Sequence, residues 1–216
     1  MYQPAYHRFD DPCAQFDLMT RHPLGTWVCQ TADGLTANHL PFVLDRERGA
    51  HGTLLCHVAR GNPVWRALGA GQPSVVAFLG PQHYITPGWY PGKAEHGRVV
   101  PTWDYVAVHA HGVAQVVDDR DALRAQLTRL TEQQESTQAR PWQVTDAPAN
   151  YIDGLLRAVV CIEIRITRLE GRLKASQDEA LADREGTVRG LRASGSAMAA
   201  GMADWVDNAL HQPPAP

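Results

Sequence analysis

Residues 24–44 constrain the fold more than any other stretch. "LGTWVCQ" (24–30) and "LTANHLPFVL" (35–44) are rich in strand formers and flank Ala32-Asp33-Gly34, a tight hairpin turn. Strands joined so closely pair antiparallel, because a parallel pair needs a long crossover. Two more strands, "GTLLCHV" (52–58) and "PSVVAFLG" (73–80), follow with only a helical turn, begun at Asn62-Pro63, between them. That spacing argues against a doubly wound parallel sheet, in which strands alternate with helices. It predicts a mainly β fold with appended helices: an antiparallel barrel or curled sheet.

The rest of the chain agrees. A short helix is expected over 13–22, opened by Asp11-Pro12, since aspartate caps and proline suits a first turn. In the strand expected over 104–117, Val106, Val108 and Ala110 face one way and Tyr105, His109 and His111 the other. Helical periodicity takes over at 118–135, and a second helix is expected over 149–157. In "AVVCIEIRITRLEG" (158–171), Ile162, Ile164 and Ile166 alternate with Cys161, Glu163, Arg165 and Thr167. One face of that strand is therefore expected in the core and the other wet or at an interface. Two short helices broken near 193–195 fill residues 177–210, and the Pro-rich end "HQPPAP" is expected to fray.

A chain of 216 residues with 44% hydrophobic content supports one sizeable core. Its net charge of −3 gives no global attraction to nucleic acid or to a membrane surface, so any such contact needs a local patch. No apolar run approaches the roughly 20 residues that span a bilayer, and "MYQPAYHRFDDP" lacks a signal-peptide layout. A cytoplasmic protein without membrane contact is the expectation. Cys13, Cys29, Cys56 and Cys161 are scattered, with no CxxC pair, and Cys56 and Cys161 read as buried thiols.

Three clusters carry the chemistry. In "ANHLPF" (37–42), a proline inside a strand marks an edge or bulge where exposed backbone can meet a ligand's polar edge. "HVARGNPVW" (57–65) puts Arg60, Gly61 and Asn62 just after a strand, where a guanidinium suits phosphate; on the residues alone, a capped helix start with a solvated arginine is the favoured reading. The stretch from 80 to 112 gathers Tyr84, Trp89, Tyr90, Trp103 and Tyr105 beside Lys93 and Arg98. Such rings stack on a flat ligand or fill a packed loop. His109 and His111 form a His-x-His pair, but nothing fixes further ligands, so no metal is assigned. No nucleophile elbow, P-loop or placed carboxylate pair is present. Segment 165–192 sets Arg165, Arg168, Arg172, Lys174, Arg184, Arg189 and Arg192 against five acidic residues, which reads as a solvated mixed-charge face.

Taken together, "MYQPAYHRFDD", "HPLGTWV", "ANHLPFVL", "HVARGNPVW", "GPQHYITPGWYPGK", "VVPTWDYVAVHAHG", "PWQVTDAP" and "GRLKASQDEALADREGTVRGL" resemble the PaiB-type FMN-binding negative transcriptional regulators. The resemblance reaches to about residue 191. It implies an antiparallel split β-barrel of the pyridoxamine-phosphate-oxidase type over residues 1–192, followed by a C-terminal helical arm and tail over 193–216. A homodimer with FMN between subunits is implied as well, with DNA as a possible partner through a small basic surface. Carried over by motif, Ala37, His39, Leu40 and Pro41 lie along the isoalloxazine edge, and His57, Arg60 and Asn62 near the ribityl-phosphate. Lys93, Thr102 and Trp103 are further cofactor candidates; Lys174, Ser176 and Gln177 match a C-terminal motif near the cofactor or dimer seam. The chain departs from the family where Asp104 and Asp178 replace asparagines and Leu173 replaces a tryptophan. The alternative function is a flavin-dependent oxidoreductase or a haem-handling split-barrel enzyme.

Overall fold

The computed structural model describes residues 1–210. The tail 211–216, expected to fray, lies outside the described residues. Among the described residues seven strands occur: β1 (Leu24–Thr31), β2 (Gly34–Pro41), β3 (Val43–Asp45), β4 (Thr53–Ala59), β5 (Gln72–Ile85), β6 (Thr102–Val117) and β7 (Val159–Lys174). Six α-helices accompany them: α1 (Pro12–Arg21), α2 (Gly92–Glu95), α3 (Arg120–Glu135), α4 (Ala149–Arg157), α5 (Leu181–Ala193) and α6 (Ala197–Leu210). The strand order is β2-β1-β5-β6-β7-β4-β3. The pairs β1–β2, β1–β5, β3–β4 and β4–β7 are antiparallel. Among the described residues, no helix is long and apolar enough to cross a membrane.

The residues group into two compact units. The first comprises Phe16–Phe78 and His109–Leu169. Its hairpin closes at Thr31↔Gly34 over Ala32 and Asp33, and Gly34 takes the left-handed φ of 112° that ends the turn. Trp27 and Cys29 of β1 point inward with Val76 and Phe78 of β5, and Phe42 meets Phe78 edge to face at 5.7 Å. Each such side chain contributes on the order of 1.5–3 kcal/mol by leaving water. The expected strand over 35–44 is interrupted: Phe42 leaves the sheet, bonds Pro23 O at 2.9 Å and buries its ring, dividing β2 from β3. A smaller apolar cluster joins α3 and α4 to β7 through Leu123, Ile152, Leu156 and Cys161.

That cluster corrects the expectation for β7. Ile162, Ile164 and Ile166 are buried as expected, and Arg165 and Thr167 are exposed. Cys161 and Glu163 are buried too, because the second face of the strand is covered. Helices α3 and α4 pack on Cys161, while Glu163 is satisfied by Arg48 and by the Gln115 amide.

The second unit comprises Met1–Gln15, Leu79–Val108 and the described residues from Glu170 to Leu210. The N-terminal segment is tied to the end of β7: Phe9 N bonds Gly171 O, and the Met1 ammonium meets Glu170 at 2.7 Å. Arg172 reaches Tyr2 O at 3.1 Å and lies over the rings of Tyr2 and Tyr105. Helices α5 and α6 pack on each other, and the buried Arg184 donates to Ala209 O at the end of α6.

Candidate functional site

Four of the expected cofactor residues sit on β2, an edge strand whose one strand neighbour among the described residues is β1. Ala37 and His39 are exposed, and Leu40 and Pro41 half-buried. The strand's other edge offers main-chain groups that a ligand can pair with. His39 Nδ1 lies 3.0 Å from Thr26 Oγ1, which fixes its ring. Between them, Asn38 turns toward "HVARGNPVW": its Oδ1 accepts from Asn62 Nδ2 at 2.8 Å. Its own Nδ2 is buried and has no hydrogen-bond partner among the described residues.

The motif after β4 first does structural work. Asn62 Oδ1 accepts from Val64 N at 3.0 Å and so caps a 3-10 turn over Pro63–Ala67, as the capped-start reading expected. Arg60 directs Nε to Arg157 O at 2.8 Å and Nη2 to Val159 O at 3.1 Å. Trp65 donates its indole N–H to Arg60 O and stacks under Arg66, whose guanidinium carbon is 4.8 Å from the ring centroid. His57 Nδ1 is 3.2 Å from Gln126 Oε1 on α3, and burial lowers its pKa.

Two cavities flank this motif. One, of about 480 Å³, lies between the β1–β2 turn and the 3-10 turn and includes Thr31, Thr36, Asn62 and Arg66. The other, of about 430 Å³, has Arg60, Trp65, Arg120 and Arg157 around an apolar floor of Leu123 and Leu156, with Asp118 and Asp119 at its rim. Asp119 caps α3 through Asp121 N and Ala122 N, so a carboxylate already occupies that helix start.

In the second unit, Thr102, Trp103, Lys174, Ser176 and Gln177 come together around Asp104. Lys174 Nζ donates to Thr102 Oγ1 and, at 3.1 Å, to Trp103 O, and stands 3.7 Å from Asp104 Oδ1. Asp104 is fully buried. Its Oδ2 accepts from Ser176 Oγ at 2.6 Å, while Oδ1 has no hydrogen bond among the described residues. Burial pushes the Asp104 carboxyl up to about 6, against the pull of Ser176 and Lys174. Ser176 adopts a φ of 55°, a conformation costly for a non-glycine residue. Gln177 holds the same turn, accepting from Ala175 N at 2.7 Å and donating to Leu173 O at 2.8 Å. Lys93 is on α2, exposed, and its side chain makes no hydrogen bond or ion pair with this group among the described residues.

The aromatic stretch resolves into several roles. Tyr84 and Trp103 are exposed and meet edge to face at 6.2 Å, with the Trp103 indole N–H held by Gln82 Oε1. Trp89 instead packs into a groove on α5 made by Gly186 and Gly190; a Cβ at either position would overlap its carbonyl or its ring. Asp183 accepts from Gly92 N at 2.9 Å in the same contact. The basic segment is largely engaged within this unit: Arg189 pairs with Glu185, Arg192 with Asp204 and Asp207, while Arg184 is buried.

Sequence reasoning missed Arg66, Asn38 and the burial of Asp104. For Asp104 the signal was present, since it shares the inward phase of Val106, Val108 and Ala110. For Asn38 and Arg66 there was none, because their neighbours are distant in sequence or set by the turn.

Residues 1–168 match the family described as "Putative FMN-binding domain". An uncharacterised protein of Emericella nidulans is 32% identical over 231 aligned positions, covering 91% of this chain and 92% of its own. The Bacillus subtilis protease synthase and sporulation protein PAI 2 is 27% identical over 210, covering 97% and 98%. Among solved structures, the FAD and heme binding protein of Mycobacterium smegmatis is similar with a TM-score of 0.56 at 19% identity, over 88% of this chain and 80% of that one. The fold is accordingly the expected one, a mainly antiparallel split barrel with appended helices.

Proposed function

This chain belongs to the PaiB-type family of FMN-binding proteins, and we propose that it binds FMN as a homodimer and acts as a negative transcriptional regulator. The observation that carries the reading is the free edge of β2 at Ala37, His39, Leu40 and Pro41, joined through Asn38–Asn62 to a cation-bearing turn. The residues fit the cofactor: the edge supplies main-chain donors and acceptors for a flat heterocycle, and Asn38 Nδ2 is a buried donor in want of an acceptor. Bound FMN supplies a redox-active ring whose charge changes on reduction.

In this reading, Ala37, His39, Leu40 and Pro41 line the ring, and His57, Arg60 and Asn62 shape its ribityl-phosphate end. Thr26 fixes His39, Gln126 holds His57, and the two main-chain carbonyls hold Arg60. Lys93, Thr102, Trp103, Lys174, Ser176 and Gln177 are assigned to the cofactor or dimer seam, where Lys174 supplies positive charge and Trp103 an exposed indole. The regulatory half of the proposal draws on PAI 2, a relative named for protease synthase and sporulation. With Arg184, Arg189 and Arg192 engaged internally, DNA contact is assigned to a small basic surface of the dimer.

The test has two parts. Protein purified without added flavin is denatured and the released flavin identified; FMN is expected. Retention on the DNA upstream of its own coding region is then compared with random DNA across salt concentrations. Specific, salt-dependent retention is expected. NAD(P)H-driven turnover of the bound flavin, with no DNA preference, contradicts the regulator and favours an oxidoreductase.

A further inference from the structure

We infer that the phosphate of the bound flavin is taken by Arg66, in the cavity between the β1–β2 turn and the 3-10 turn, and not by Arg60. The inference rests on the flavin binding proposed above. Arg60 is the obvious cation by sequence, yet its Nε and Nη2 are engaged by the carbonyls of Arg157 and Val159. That fork braces the end of β4 against the start of β7. Arg60 is thus a positioning residue: its carbonyl also holds the indole N–H of Trp65.

Arg66 is placed differently. Its guanidinium is exposed, lies over the Trp65 ring at 4.8 Å and has no carboxylate partner among the described residues. Stacking restrains a long side chain without using its N–H groups, so the fork is available to an anion. The cavity it lines measures about 480 Å³, within the range of roughly 300–1,000 Å³ usual for small-ligand sites. Thr36 in the same wall carries a hydroxyl with no hydrogen-bond partner among the described residues. Asn62 connects the cavity directly to Asn38 on β2, so a ligand lying along β2 has its phosphate end within this wall. Asp33, exposed in the turn, opposes the anion and limits affinity.

Comparing FMN with riboflavin isolates the phosphate. Wild type, Arg66→Ala, Arg66→Gln, Arg60→Ala and Asp33→Asn are titrated with each flavin, following flavin fluorescence. Both Arg66 variants are expected to weaken FMN roughly tenfold to a hundredfold, the loss of a charge-assisted pair, and to leave riboflavin unchanged. Asp33→Asn is expected to tighten FMN a few-fold and leave riboflavin unchanged. Arg60→Ala is expected to lower the thermal midpoint and to affect both flavins alike. Wild type that binds the two flavins equally, or Arg66 variants that bind FMN as wild type does, overturns the inference while leaving flavin binding intact. Wild type that takes up neither flavin overturns the flavin reading and this inference with it.

Discussion

Replacing Asp104 with asparagine probes the largest opposition between burial and charge around Lys174. The carboxyl is fully buried, and burial raises it from 3.8 to about 6. The attraction of Lys174 at 3.7 Å and the bond from Ser176 are already at work, and burial still wins. A shift of about two units corresponds to about 3 kcal/mol. The native state holds this proton more tightly than the unfolded chain, so stability is lost as pH rises from 3.8 through 6, and the whole cost is present at neutral pH. Asparagine keeps an acceptor for Ser176 Oγ, and Lys174 keeps Thr102 Oγ1 and Trp103 O. The asparagine amide brings N–H donors into a buried position where Oδ1 makes no hydrogen bond among the described residues, which offsets part of the gain. Asp104→Asn is therefore expected to be more stable than wild type by about 1–2 kcal/mol near pH 7.5, with the gap closing near pH 4.5. Urea denaturation at the two pH values measures it. A variant less stable by more than about 1 kcal/mol near pH 7.5 would refute the reasoning, because the ionised pair would then be a net stabiliser.

His7 supplies the opposite slope. Burial holds its imidazole down at about 4, so the stability present above 6.5 is lost as pH falls toward 4, by about 3 kcal/mol in all; His7→Gln is expected to remove that acid limb from a stability–pH curve. Gly190→Ala drives a methyl into the Trp89 ring and is expected to destabilise by about 1–3 kcal/mol in urea, with a change in tryptophan fluorescence that an exposed Gly61→Ala does not show. Cys13 is exposed, whereas burial raises the thiols of Cys29, Cys56 and Cys161, the last to about 11. A thiol reagent near pH 8 is expected to modify Cys13 in the folded protein and the other three only after unfolding.

Periodicity made the regular elements legible. Helix α4 starts and stops where its pattern does, at Ala149 and Arg157, and β6 buries Val106, Val108 and Ala110 as alternation requires. Elements interrupted by proline were harder. Strand β5 runs on through Pro81 to Ile85, past the point where the proline signals a stop. Its pairing with β1 covers only Ser74–Ala77, so Pro81 has no ladder bond to lose on that side. The second face of β7 looked wet because Glu163 alternates with isoleucines; its covering by Arg48 and Gln115 depends on residues far off in sequence. The same limit applied at the site. The motif "HVARGNPVW" marked a turn after β4, but only side-chain geometry shows Arg60 turned onto carbonyls and Arg66 stacked on Trp65.

A flavin held along the edge of β2 is the central proposal for this chain. Equilibrium dialysis of flavin-stripped protein against FMN tests it directly, with His39→Glu as the comparison. Saturable uptake of one FMN per chain by wild type, weakened at least tenfold by a carboxylate at residue 39, is the expected result. No saturable uptake by wild type, or equal uptake by the two proteins, contradicts it.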